Sequence, residues 1–101
     1  MTPSQTAAYE ALCEKVPEAR CPTIERTDYD GGAWWIDNQR IDAATALAIL
    51  TLHLEAMLPV PWRMRVFKQN FGYGPANPLI ELWGCDPDRF AALCAAVEAS
   101  R

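Results

Sequence analysis

The sequence has little of what most catalytic and metal sites require. It contains one histidine, His53, and four cysteines, and no two cysteines have the two-to-four-residue spacing of structural zinc sites. No nucleophile motif accompanies His53, so we expect a partly buried, hydrogen-bonded structural histidine. Cys13 and Cys94 fall on the apolar stripes of predicted helices, where thiols act as small hydrophobic groups. We therefore expect no metal and no cofactor, and an enzyme is the less favoured class.

Two short segments resemble parts of ligand-binding motifs without completing them. Residues 28–31 have the spacing that opens a calcium loop, but Gln39 stands where the loop needs its final glutamate. Residues 72–74 give a fragment of a phosphate-binding pattern that no predicted helix follows. We interpret the first as a turn and the second as a loop with an exposed Tyr73, a residue type that often serves recognition.

The sequence also lacks an excess of positive charge and a long apolar run. Nine Lys and Arg stand against 13 Asp and Glu, a net charge of −4, which argues against nucleic acids and anionic membranes as partners. The longest apolar stretch, residues 43–58, is interrupted by polar residues and is too short to span a bilayer. Residues 1–20 do not resemble an export signal, so we expect a cytoplasmic protein with reduced thiols.

What the sequence does contain is one set of helix and strand signals. Half of its 101 residues are hydrophobic, which predicts a single domain over residues 1–101. Caps and apolar periodicity predict three helices, at Pro3–Val16, Ala43–Leu58 and Pro87–Ala99, the last capped by Asp86. Strands are predicted at 24–27, 33–36, 40–41, 62–67 and 79–83, with residues 70–78 as a loop. The prediction is an α+β fold of order α-β-β-(β)-α-β-β-α, a mostly antiparallel sheet with the helices packed on one face.

The predicted second helix is apolar around most of its girth. Its main face combines Leu47, Leu50, Leu54, Met57 and Leu58. Ile49 and Leu52 lie well away from that face, which leaves a narrow polar side. Such a helix is either central in the domain or in contact with a second subunit.

Strand alternation places two different sets of side chains on the two faces of the sheet. Trp62, Met64, Val66, Ile80 and Leu82 suit the face covered by helices. The other face then carries arginine, aromatic and acidic side chains, joined by one of the two adjacent tryptophans: Arg63, Arg65, Phe67, Leu79, Glu81, Trp83 and Trp34 or Trp35. Arginine with aromatics is typical of a protein-interface core. The alternative is a half-exposed face with Arg–Glu81 cross-strand pairs.

Two functions remain open. The first is a non-catalytic interaction module, accessory or inhibitor-like, that binds a protein partner or a second copy of itself, most simply as a dimer. Its candidate protein-binding residues are Arg63, Arg65, Phe67, Tyr73, Leu79, Glu81, Trp83 and Trp35. The second is a small-molecule-binding or enzymatic domain with a pocket between the sheet face and residues 71–78. The absence of paired catalytic residues favours the first.

The cysteine spacing and the expected compartment give a direct prediction about the thiols. Titration under denaturing, non-reducing conditions should count four free thiols per chain. A count of two would contradict the expected redox state, and stoichiometric zinc in elemental analysis would contradict the expected absence of a metal.

Overall fold

A computed structural model describes residues 1–28, 32–77 and 81–101 of the chain. The described residues contain three helices and six strands, joined by short turns. The helices are α1 (Pro3–Lys15), α2 (Ala43–Ala56) and α3 (Arg89–Ala99). The strands are β1 (Glu25–Thr27), β2 (Ala33–Ile36), β3 (Gln39–Ile41), β4 (Trp62–Phe67), β5 (Asn70–Pro75) and β6 (Gly84–Asp86).

The helices begin at side-chain caps. Thr2 and Gln5 form a reciprocal capping box at α1, with N–O distances of 3.1 and 3.0 Å. α3 begins two residues later than predicted, because Asp88 and not Asp86 caps it by accepting from the Ala91 backbone N–H. Asp86 instead accepts from the Asp88 backbone N–H. Within the described ranges, no helix is both long and apolar enough to cross a membrane.

The strands form two antiparallel sheets of three strands each, where the sequence suggested one sheet. Sheet A has the order β1-β2-β3 and sheet B the order β4-β5-β6. The α+β class and the antiparallel pairing are confirmed.

The predicted loop at residues 70–78 is wrong over its first six residues, which form β5. Lys68 and Gln69 alone turn the chain between β4 and β5, and Lys68 adopts a positive φ of 53°. The predicted strand at 79–83 is also wrong where the structure describes it, since residues 81–83 are not a strand and β6 follows them. Leu79 and Ile80 lie outside the described residues.

The core lies between the helices and sheet B and includes part of sheet A. Its largest fully buried side chains come from all three helices and from β5: Tyr9, Leu12, Leu50, Leu54, Tyr73, Leu93 and Val97. The close packing of β6 on α3 depends on Gly84. A Cβ at this position would lie 2.5 Å from the Ala92 carbonyl oxygen and would also collide with the Ala96 backbone nitrogen. Only glycine permits this approach.

Replacing Gly84 with alanine should therefore lower the free energy of unfolding by roughly 2–3 kcal/mol, because β6 and α3 must move apart. Gly72→Ala is the matched control, since its Cβ would meet only the Phe67 and Leu82 side chains, at 3.0–3.1 Å. Urea unfolding of both variants measures the difference. An equal or smaller loss for Gly84→Ala would contradict a backbone-limited contact.

Candidate protein-binding surfaces

The outer face of β4 carries three of the predicted site residues. Arg63, Arg65 and Phe67 alternate along the strand, and two of them stand opposite glycines, Gly74 and Gly72. The Phe67 side chain is 38 % exposed and lies over Gly72. The structure therefore brings Arg63, Arg65 and Phe67 onto one surface.

The segment after the undescribed residues 78–80 returns across this same face. The Glu81 backbone carbonyl and the Leu82 Cα lie directly over Gly74, and the Leu82 side chain lies over Gly72. Leu82 was predicted to face the helices and Trp83 the opposite side. The structure shows the reverse for both, because this segment is not a strand and strand alternation does not apply to it. Trp83 is half-buried against the core, whereas Glu81 is exposed.

The prediction of an exposed Tyr73 is wrong. Tyr73 is fully buried in β5, and its ring lies 5.7 Å from the ring of Trp62. Its hydroxyl donates to Glu55 of α2 and accepts from Nε of Arg89 of α3, both at 3.0 Å. Burial, reinforced by the nearby Glu55 carboxylate, raises the pKa of Tyr73, and the Arg89 hydrogen bond partly opposes that shift. Tyr73 thus joins three elements, and its side chain is buried within the chain.

Two further predictions about β-strand side chains need correction. Trp35 belongs to sheet A, separate from the sheet that carries Arg63, and its indole N–H donates to Thr27 at 2.9 Å. Trp34 is the tryptophan in the core. Val66 was predicted to lie under the helices but is 63 % exposed, because it lies at the open edge of sheet B near the β4–β5 turn.

A second surface lies on α2 and was only partly foreseen. Leu52, which the sequence placed away from the main apolar face, is 69 % exposed. It continues a row of exposed small residues at four-residue spacing, which we call the α2 ridge: Ala44, Ala48, Leu52 and Ala56. Beside this ridge, an apolar groove of about 510 Å³ runs between α2 and α3, with Phe90 and Leu93 among its lining residues.

Polar contacts mark the rim of this groove. Gln5 donates to Asp88 at 3.0 Å, and Arg89 pairs with Glu55 at 3.4 Å. The Glu55 side chain is only 14 % exposed, and its carboxylate pairs with Arg89 and accepts a hydrogen bond from the Tyr73 hydroxyl. Sequence reasoning missed Glu55 and Arg89, because no local motif links residues 34 positions apart.

Neither surface contains a recognisable catalytic arrangement. In the part of the chain that the structure describes, no three His, Cys, Asp or Glu side chains are placed to hold a metal ion. His53 is half-buried as predicted, but its Nε2 has no hydrogen-bond partner among the described residues. Cys85 is exposed, and the other three cysteines are buried.

No protein-family model matches this chain, and neither a curated protein nor a solved structure shows significant similarity to it. Its function is therefore argued from its own geometry.

The Tyr73 hydroxyl predicts a specific alkaline effect on stability. Removing it in Tyr73→Phe should cost about 1–2 kcal/mol at neutral pH, because Glu55 and Arg89 each lose a hydrogen bond. Since the pKa of Tyr73 is raised on folding, its proton stabilises the folded state fully below pH about 10, and that contribution is lost above it. The stability difference between wild type and variant should therefore narrow above pH about 10.

Unfolding by urea between pH 7 and 11 measures that difference. Burial also raises the pKa values of Tyr9, Cys13 and Cys94, but these groups are common to both proteins and cancel in the comparison. A gap that stays constant across this range would contradict a perturbed Tyr73.

Proposed function

We propose that the protein is a non-catalytic interaction module that associates with a second copy of itself through the α2 ridge. The observation that carries this proposal is an exposed helix face without charge. α2 has 14 residues, and Glu55 is its one acidic residue, with no Lys or Arg. Solvent-facing helix surfaces are usually polar or charged. An uncharged face favours contact with another apolar surface.

The shape of the ridge supports a second helix as its occupant. Alanines at four-residue spacing leave shallow grooves, and rows at this spacing interdigitate when two helices pack. Leu52 projects from the same row, so one copy offers both a protruding side chain and the small residues that receive it. That self-complementarity is what a two-fold interface needs.

The uncharged ridge also suits a second copy in antiparallel orientation. No like charges meet along the ridge, since Ala44, Ala48 and Leu52 are uncharged.

The outer face of sheet B supports a self-association surface less well. Phe67 already lies over Gly72, where Leu82 joins it, and Trp83 packs against the core. On this face the positive charges of Arg63 and Arg65 outnumber the negative charge of Glu81, so a second copy of the same face would bring like charges together.

Binding of a small apolar ligand in the α2–α3 groove is the second candidate function. The groove volume of about 510 Å³ falls within the range of small-molecule pockets. The sequence suggested a pocket between the sheet face and a loop at residues 71–78. Residues 71–75 are part of β5, so they do not form a loop beside such a pocket.

Our proposal also keeps the expected cytoplasmic setting, in which the four thiols stay unpaired.

Replacing Leu52 with glutamate should weaken self-association by roughly 100-fold or more, because each protomer would bury a charge in place of an apolar side chain. Sedimentation velocity from 1 to 200 µM measures the monomer–dimer equilibrium. Val60→Glu is the matched control, since Val60 is 84 % exposed and lies beyond the end of α2. It adds the same charge away from the ridge and should leave association unchanged.

A wild-type protein that stays monomeric at every concentration would overturn the self-association proposal. Equal effects of Leu52→Glu and Val60→Glu would place the interface elsewhere. A third outcome is a monomeric wild type that binds apolar dyes that the Leu52→Glu variant does not bind. In that case, small-molecule binding in the α2–α3 groove replaces self-association as the proposed function.

A further inference from the structure

β4 is an edge strand with an open side. Among the described residues, it pairs in sheet B with β5 alone, over the six residue pairs from Trp62–Pro75 to Phe67–Asn70. Proteins usually protect such an edge with charged side chains, a bulge, an inserted proline or a covering segment, because its free N–H and C=O groups can pair with another chain. On β4 the protection against a second copy is the charge of its arginines. The register of β4 with β5 runs without a bulge.

The register also shows which backbone groups are free. Antiparallel pairs alternate between residues that exchange hydrogen bonds and residues that do not. The Ala76 N–H donates to the Pro61 carbonyl at 3.1 Å, which places odd-numbered residues in the bonded pairs. The N–H and C=O groups of Met64 and Val66 therefore point to the open edge. Within the described ranges, no backbone hydrogen bond outside the sheet's own pairing involves them.

The side chains of β4 make this edge strongly basic within an acidic protein. Residues 56–80 contain Arg63, Arg65 and Lys68 and no Asp or Glu, a charge of +3, and Glu81, whose backbone lies over Gly74 opposite Arg63, reduces the charge at this surface to +2. The rest of the chain has the remaining six Lys and Arg against all 13 Asp and Glu, a charge of −7. Among the described residues, none of the four ion pairs includes Arg63, Arg65 or Lys68.

Among the described residues, one side chain of β4 has a polar atom without a hydrogen-bond partner, and another leaves apolar surface exposed. One guanidinium nitrogen of Arg65, NH2, is shielded from solvent and has no hydrogen-bond partner among the described residues. A shielded guanidinium nitrogen without an acceptor costs free energy, and a carboxylate that reached it would supply the missing hydrogen bond. On the opposite face, Val66 leaves 63 % of its surface exposed beside Phe71.

A second copy of β4 is a poor occupant of this edge. Two-fold pairing centred on Met64 places Arg63 opposite the partner strand's Arg65, and pairing centred on Arg65 places the two Arg65 side chains opposite each other. Like charges directly opposite each other destabilise a strand pair. Both of these registers therefore disfavour pairing of the edge with itself, and the two arginines favour a strand that carries negative charge.

We propose that the open edge of β4 binds an extended acidic peptide segment of a partner protein by strand addition. The added strand would pair its backbone with Met64 and Val66. It would place carboxylates at alternate positions, against Arg63 and Arg65, and small apolar side chains between them, against Met64 and Val66. This inference shares the interaction class of the proposed function but uses a different surface, so either can fail alone.

An acidic peptide fits this edge better than a nucleic acid does. Single-stranded nucleic acid needs a basic groove and exposed aromatic rings on which bases stack. Here the free groups are a row of backbone donors and acceptors. The Trp62 ring packs at a tilt of 41° against the buried Tyr73, and the rest of the chain has a net charge of −7. Phosphates gain nothing from the backbone pattern and are repelled by the rest of the surface.

The test uses the full chain and a labelled seven-residue probe, Glu-Thr-Glu-Val-Glu-Thr-Glu, in fluorescence anisotropy at low and physiological salt. The probe should bind, and backbone amide exchange at Met64 and Val66 should slow when it does. Arg63→Glu and Arg65→Glu should each weaken binding by about tenfold or more. Arg40→Glu is the matched control, an exposed arginine on the edge strand of sheet A, and should retain at least half of the wild-type affinity.

Three controls on the ligand make the proposal falsifiable without altering the protein. The same peptide with alternate backbone nitrogens methylated on its pairing edge should lose about tenfold or more in affinity, and equal binding would overturn strand addition. A peptide with lysine in place of glutamate should not bind, and if it does, charge complementarity is wrong. An oligothymidylate that binds more tightly than the acidic peptide would overturn the proposal in favour of nucleic acid. The Leu52→Glu protein should still bind the probe, which separates this result from the fate of self-association.

Discussion

The contact between the backbones of β6 and α3 at Gly84 is the constraint on which the arrangement of sheet B depends. A strand can lie this close to a helix only where a side chain is missing, and Ala92 and Ala96 keep the helix surface equally low. Once β6 is held there, β5 is placed with Tyr73 under α2, and β4 becomes the outer strand. Glycines on the other side of β5 then admit the backbone of residues 81–82. Both faces of the sheet are thus shaped by absent side chains.

The helices could be predicted from the sequence because their signals are local. Thr2 and Asp42 cap the first two helices within three residues of the donors that they satisfy. β5 could not be predicted in the same way, because Gly72, Gly74 and Pro75 have low intrinsic strand propensity. What makes them a strand is pairing with β4, and at Gly72 also with β6, which is tertiary information.

In the candidate site too, the residues predicted correctly are those whose placement follows from local structure. Alternation along β4 correctly grouped Arg63, Arg65 and Phe67, since that strand is regular. It failed for Leu82 and Trp83, where the chain crosses the sheet instead of pairing with it. The sequence of α2 shows that the helix is apolar around most of its girth. Which of its residues form the exposed ridge and the groove depends on where α3 packs, which the sequence does not show.

The hydrogen bonds of Tyr73 have a consequence for the whole molecule. Its hydroxyl joins Glu55 at one end of the α2 face to Arg89 at the start of α3, while its backbone belongs to the strand beside β4. A partner that draws Glu55 away from Arg89 would loosen the anchor of β5, and a strand added to β4 would tighten the same sheet. By thermodynamic linkage, if occupancy of one surface changes the binding affinity of the other by some factor, occupancy of the second changes the affinity of the first by the same factor. The Tyr73 hydroxyl is then one place where occupancy of either surface acts on the other.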